Sequence, residues 1–116
     1  AIDRPRFGVH FDPVNLLNSP RRHFGNGDFI KACVDALGDR ILSVHAKDQA
    51  TNAHLTLLLD EAIPGSGVVD YQVFLRCLNG LGPDLPLMIE HLSSEEEYDQ
   101  AAAFIRTQAA AVGATL

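Results

Sequence analysis

Three apolar segments, residues 7–12 (FGVHFD), 41–46 (ILSVHA) and 85–90 (LPLMIE), are each followed by a helix-period pattern, and this alternation sets the class of fold. After the first, Phe29, Ile30, Cys33, Val34 and Leu37 share one helical face of residues 28–37, and Gly38 supplies a C-terminal stop. After the second, Asp70 caps a helix whose Tyr71, Phe74, Leu75 and Leu78 recur at i, i+3, i+4 and i+7 before Gly80 ends it. After the third, Ser94 and Glu97 form a capping box. Tyr98, Ala102, Ile105, Ala109 and Val112 then make one stripe, closed by Gly113. Strands alternating with amphipathic helices imply an α/β fold of parallel strands joined by crossovers. With no repeat, low-complexity tract or interdomain linker, residues 1–116 read as one domain.

Residues 47–69 break the rhythm. The segment is long for a βα loop, holds an apolar stretch at 55–59, and ends in Pro64-Gly65-Ser66-Gly67. It reads as a loop with a short extended excursion. The alternative is a fourth barrel strand at 55–59, but only eight residues separate Ala46 from Leu55, short for a helical crossover. The Pro-Gly-Ser-Gly turn lacks the strand–turn–helix spacing of a dinucleotide fingerprint and reads as a tight turn into the next helix.

Charge removes some functions. A net charge of −6 with nine Lys and Arg is unsuited to a phosphate backbone, so nucleic acid is not an expected partner. No apolar run approaches the ~20 residues of a membrane span, and no signal-peptide pattern opens the chain. Cys33 and Cys77 each lie in an apolar helical pattern and read as small core residues in a reducing, cytoplasmic compartment. A strand-like segment begins soon after Ala1, as expected of a piece of a larger protein.

Side chains alternate along a strand, so each segment can be divided into faces. His10 and Asp12 share one face, as do Ser43, His45 and Lys47, and as do Met88 and Glu90. The opposite faces are apolar: Val9 and Phe11; Leu42, Val44 and Ala46; Leu87 and Ile89. Each strand thus has a face for covering helices and a face that turns polar toward its C-terminal end, where α/β barrels build their active sites. Asp12, His45 and Glu90 are therefore expected to converge. One imidazole and two carboxylates suit a single divalent ion: Mn²⁺, Mg²⁺, Co²⁺ or Zn²⁺. His91 is expected to point away from Glu90, and His23 and His54 have no pattern behind them.

The runs Val9-His10-Phe11-Asp12-Pro13-Val14-Asn15, Val44-His45-Ala46-Lys47-Asp48, Pro64-Gly65-Ser66-Gly67-Val68-Val69-Asp70-Tyr71 and Leu87-Met88-Ile89-Glu90-His91 resemble the sugar phosphate isomerase/epimerase family, among the xylose-isomerase-like TIM barrels. The resemblance covers nearly the whole chain in order. It implies the C-terminal part, about three βα units, of a (β/α)8 TIM barrel, with the three strands as the sixth, seventh and eighth. It also implies one divalent metal held by Glu, Asp, His and Glu on four successive strands. Asp12, His45 and Glu90 match the last three, and the first Glu would precede residue 1. Many members carry Asp-x-x-His in the first run; Asn15 stands at that His, where it can bind a sugar hydroxyl but cannot act as a base.

By the same resemblance, the metal bridges a ketose carbonyl and an adjacent hydroxyl and stabilises an enediolate, with two glutamates as acid and base. Glu90 would be one of them. Lys47, on the face of His45, is expected to counter developing negative charge or bind a substrate oxygen. His10, Asn15, Arg21 and Arg22 are the expected substrate-side residues, the two arginines as holders of a phosphate or carboxylate. Three readings stand: a metal-dependent sugar isomerase or epimerase, an apurinic-endonuclease-like hydrolase, and an inactive truncated fragment. Three βα units leave open sheet edges, so self-association or pairing with the missing N-terminal part is expected.

Overall fold

The computed structural model describes residues 4–52 and 55–116. Strands β1 (Val9–Phe11), β2 (Ile41–Ala46) and β5 (Leu87–Ile89) form one parallel sheet in the order β1-β2-β5. Helices α1 (Pro20–Phe24) and α2 (Asn26–Leu37) connect β1 to β2. Strands β3 (Asp48–Thr51) and β4 (Leu59–Ala62) and helix α3 (Tyr71–Asn79) lie between β2 and β5, and α4 (Glu95–Val112) follows.

The three expected parallel strands form, with β1 and β5 shorter than read. Asp12 and Glu90 sit one residue beyond their strands. The expected capping residues act as such: Asp70 accepts from Val73 N at 2.9 Å and Ser94 from Glu97 N at 3.3 Å. The Glu97 carboxylate returns a bond to Ser93 N, one residue ahead of the cap, at 2.6 Å. Gly113 closes α4 in the left-handed region, and Ala114 N donates back to Ala109 O.

One face of the sheet is covered. Phe11, Val44 and Ala46 pack with Ile30 and Val34 of α2, Phe74, Leu75 and Leu78 of α3, and Ile105 and Ala109 of α4. Leu42 departs from the expected pattern. Val9 pairs with Ile41 but His10 with Ser43, so Leu42 is an extra residue in β2, a bulge. Ile41 takes the buried position and Leu42 is 61% exposed. Gly8 makes room for it: a Cβ there would stand 2.1 Å from Leu42 Cδ1.

Residues 47–69 hold a hairpin, not a barrel strand. β4 pairs antiparallel with β3, from Asp48 opposite Ala62 to Thr51 opposite Leu59, apart from the parallel sheet. Leu55, Leu57 and Leu58 precede it and are exposed. The short separation from β2 explains this, because an antiparallel return needs only a local turn. No helix among the described residues is long and apolar enough to cross a membrane.

Candidate metal centre

The parallel register sets the site. His45 pairs with Met88 and Phe11 with Val44, so Asp12 falls beside His45 and Glu90 two residues past the partner of His45 on the same face, all at the C-terminal ends of adjacent strands. One ligand atom from each lies within 4.8 Å of the other two. His45 Nδ1 faces both carboxylates, 2.7 Å from Glu90 Oε1 and 3.4 Å from Asp12 Oδ2.

Each ligand is held from behind. The Asp12 carboxylate accepts from Asn15 N at 3.2 Å through Oδ1, which turns Oδ2 toward His45. His45 Nε2 meets His10 Nε2 at 2.8 Å, and His10 Nδ1 meets the Ser43 hydroxyl. This chain of nitrogens has two proton arrangements. When Ser43 donates to His10 and His10 to His45, Nδ1 of His45 carries a hydrogen for Glu90. When the order reverses, Nδ1 presents a lone pair to the carboxylate side, as a metal ligand must. His54 lies outside the described residues.

Lys47 joins the cluster from the residue after β2. Its ammonium is buried, 2.7 Å from Glu90 Oε1 and 3.0 Å from both Asp12 Oδ2 and Glu61 Oε1. Burial works against the charged form, but the attraction of the Glu90, Glu61 and Asp12 carboxylates outweighs it and holds the ammonium above the ordinary lysine range. The backbone of Lys47 is fixed too, because the buried Tyr71 hydroxyl donates to its carbonyl at 2.9 Å. Burial, with the charges of Asp48 and Asp12, pushes that hydroxyl above the usual tyrosine range.

Glu61, on β4, was not found in the sequence, because nothing in its segment's periodicity singles it out. Its Oε2 lies 2.8 Å from His91 Nδ1 while Oε1 holds Lys47. Burial opposes its ionisation, but the His91 and Lys47 hydrogen bonds keep its carboxyl below the ordinary range. His91 corrects an expectation. It does not turn away from Glu90: Nε2 is 3.6 Å from Glu90 Oε2. The strand has ended at Ile89 and His91 adopts a left-handed φ of 61°, so strand alternation no longer applies.

Asp48, also missed, secures the surrounding loop. Its buried carboxylate accepts from Gln49 N, Gly65 N, Gly67 N and Val69 N at 2.8 to 3.1 Å. Behind it, Gln49 Oε1 bonds His23 Nδ1 at 2.8 Å, and Asn26 ties His23 O, Val68 O and Asp70 N together. His23 is thus a buried structural residue. The expected anion holders, Arg21 and Arg22, stand on α1. Arg22 donates to Leu16 O and Asn18 Oδ1 and lies over the Phe29 ring, all within its own segment. Arg21 and the Asn15 side chain are exposed.

The donor set fits a divalent cation. Asp12 Oδ2 is buried and takes no aligned hydrogen bond even with Lys47 beside it, so an oxygen with spare coordinating capacity faces an imidazole nitrogen and a second carboxylate.

The family model of the xylose isomerase-like TIM barrel matches residues 1–108. Among solved structures, a xylose isomerase domain protein from Planctomyces limnophilus superposes with a TM-score of 0.69 at 24% identity, over 96% of this chain and 38% of that one. The likeness shows the fold: the three βα units are an arc of the barrel, and the chain spans well under half of that protein's length. No curated protein matches the chain.

Proposed function

Since the chain belongs to the xylose isomerase-like TIM-barrel family, we propose that it supplies the metal end of a divalent-metal-dependent sugar or sugar-phosphate isomerase or epimerase. The observation that carries this reading is the convergence of Asp12, His45 and Glu90 within 4.8 Å at the C-terminal strand ends. These three would hold the ion, Mn²⁺, Mg²⁺, Co²⁺ or Zn²⁺. When bound, it would supply Lewis-acid polarisation of a sugar carbonyl and its neighbouring hydroxyl.

The chain's own residues account for the remaining chemistry. Glu90 holds the proton taken from the carbon beside the carbonyl, at Oε2, the oxygen that Lys47 leaves open. Lys47 counters negative charge on a substrate oxygen, as the enediolate requires. His10 orients His45. Asn15 and Arg21, both exposed, meet substrate oxygens, while Arg22 braces its own segment. The second acid/base glutamate would be the one that the family resemblance sets ahead of residue 1.

His45→Ala and Glu90→Gln in the full-length protein should each lower sugar turnover by about two orders of magnitude or more, with the fold retained by circular dichroism. Unchanged turnover in Glu90→Gln would remove it as the proton carrier. Nicking of abasic DNA, with no turnover of any sugar, would move the assignment to an endonuclease-like hydrolase.

A further inference from the structure

The Lys47 ammonium sits against Asp12 Oδ2 and Glu90 Oε1, two oxygens of the set that would ligate an ion. Two cations on the same pair of oxygens repel, so an ion and an ammonium at this distance compete. Lys47 has a third carboxylate partner outside the metal set: Glu61 Oε1, at 3.0 Å. Glu61 comes from the β3–β4 hairpin, and its other oxygen is tied to His91, so its position does not depend on Lys47 alone.

We propose that Lys47 is a built-in counter-cation that keeps Asp12 and Glu90 together before a divalent ion arrives, and that Glu61 is the group that receives its ammonium when the ion binds. This rests on the metal reading above and adds to it a role for the hairpin. Without Lys47, two carboxylates 3.4 and 2.7 Å from one imidazole nitrogen would have only His45 between them. Without Glu61, the ammonium would have no carboxylate beside it among the described residues except the metal's own ligands. Glu61 is thus a positioning residue acting through Lys47.

The test is Mn²⁺ binding by calorimetry on the chain and its variants. Lys47→Met should bind Mn²⁺ about tenfold more tightly, because the competitor is gone. Glu61→Gln should bind about tenfold more weakly, a size typical of groups behind a metal ligand. In the double variant, the Glu61→Gln effect should vanish and the affinity should equal that of Lys47→Met. If Glu61→Gln weakens binding equally in both backgrounds, it acts as a bulk charge and the proposal falls. It falls too if Lys47→Met binds no more tightly than the parent. His45→Ala keeps the two readings apart. Loss of Mn²⁺ binding in that variant upholds the metal site whatever Lys47 does, whereas no binding by either the parent or Lys47→Met overturns both.

Should Lys47→Met not fold, the unsubstituted chain gives an independent answer, because it has two lysines, Lys31 and Lys47. The ammonium NMR signal of Lys47 should shift as diamagnetic Mg²⁺ is added while that of Lys31, exposed on α2, stays. A Lys47 signal that ignores a saturating ion overturns the proposal.

Discussion

Replacing Asp48 by Asn should destabilise the chain far more than its small change in shape suggests. Asp48 is 1% exposed. Its carboxylate is held by four backbone N–H groups: Gln49 and Val69 on Oδ1, Gly65 and Gly67 on Oδ2. An asparagine keeps one oxygen for one pair of donors and turns an NH₂ group toward the other. Two charge-assisted bonds are lost, at about 1.5–3 kcal/mol each, and two buried N–H groups then face a donor. The expected loss is about 3–6 kcal/mol, a large part of the 5–15 kcal/mol typical of a whole domain. Urea unfolding followed by circular dichroism reads it directly. The reference is Ser94→Ala, which removes a single neutral cap and should cost about 1 kcal/mol. Hydrogen exchange supplies the local signature: the amides of Gly65, Gly67 and Val69 should lose protection before those of the parallel sheet. Asp48→Asn within about 0.5 kcal/mol of the parent, with these amides still protected, would refute the clamp.

Gly67→Ala sets a Cβ 2.3 Å from Asp48 Oδ1 and 2.5 Å from Gln49 O, so unfolding should show a loss of about 1–3 kcal/mol, while Gly80→Ala, whose nearest neighbour is 3.4 Å away, should be near neutral. Glu61 has a lowered pKa in the fold, so its contribution to stability is present above its ordinary value of 4.5 and lost as the pH falls below it through the folded value; Glu61→Gln should lack that part of the acid limb in a stability–pH series. Burial raises the pKa of both Cys33 and Cys77, so each should react with a thiol reagent at neutral pH more slowly than a free cysteine, and faster labelling would contradict their half-buried positions. The free edges of β1 and β5 and the exposed Leu42 and Met88 should make the isolated chain associate in sedimentation, and a stable monomer at high concentration would count against open edges.

The candidate site was legible where strand periodicity speaks. Asp12, His45 and Glu90 were assigned to one place because each breaks an apolar alternation at a strand end, and parallel pairing brings those ends level. Periodicity failed where the backbone leaves it. The bulge at Leu42 moves one leucine out of the covered face, and the left-handed turn at His91 returns a ring toward Glu90. Glu61 and Asp48 were out of reach for another reason. Their partners are fixed by a hairpin and by loop amides 17 to 21 residues away, and neither leaves a pattern in its own neighbourhood. The two arginines looked alike in the sequence, yet the contacts of Arg22 with Leu16, Asn18 and Phe29 separate its role from that of exposed Arg21.

Lys47 and Asp48 are consecutive residues with opposite charges and opposite surroundings: carboxylates around the one, backbone amides around the other. A two-residue period keeps them apart, and a one-residue slip along this segment would carry one of them into the other's place. In one direction it would place Asp48 among three acids, and in the other it would place the Lys47 ammonium among N–H groups, an electrostatic error either way. Most substitutions here would weaken one contact, whereas an insertion or deletion would invert the whole segment. This stretch should therefore tolerate changes of letter far better than changes of length.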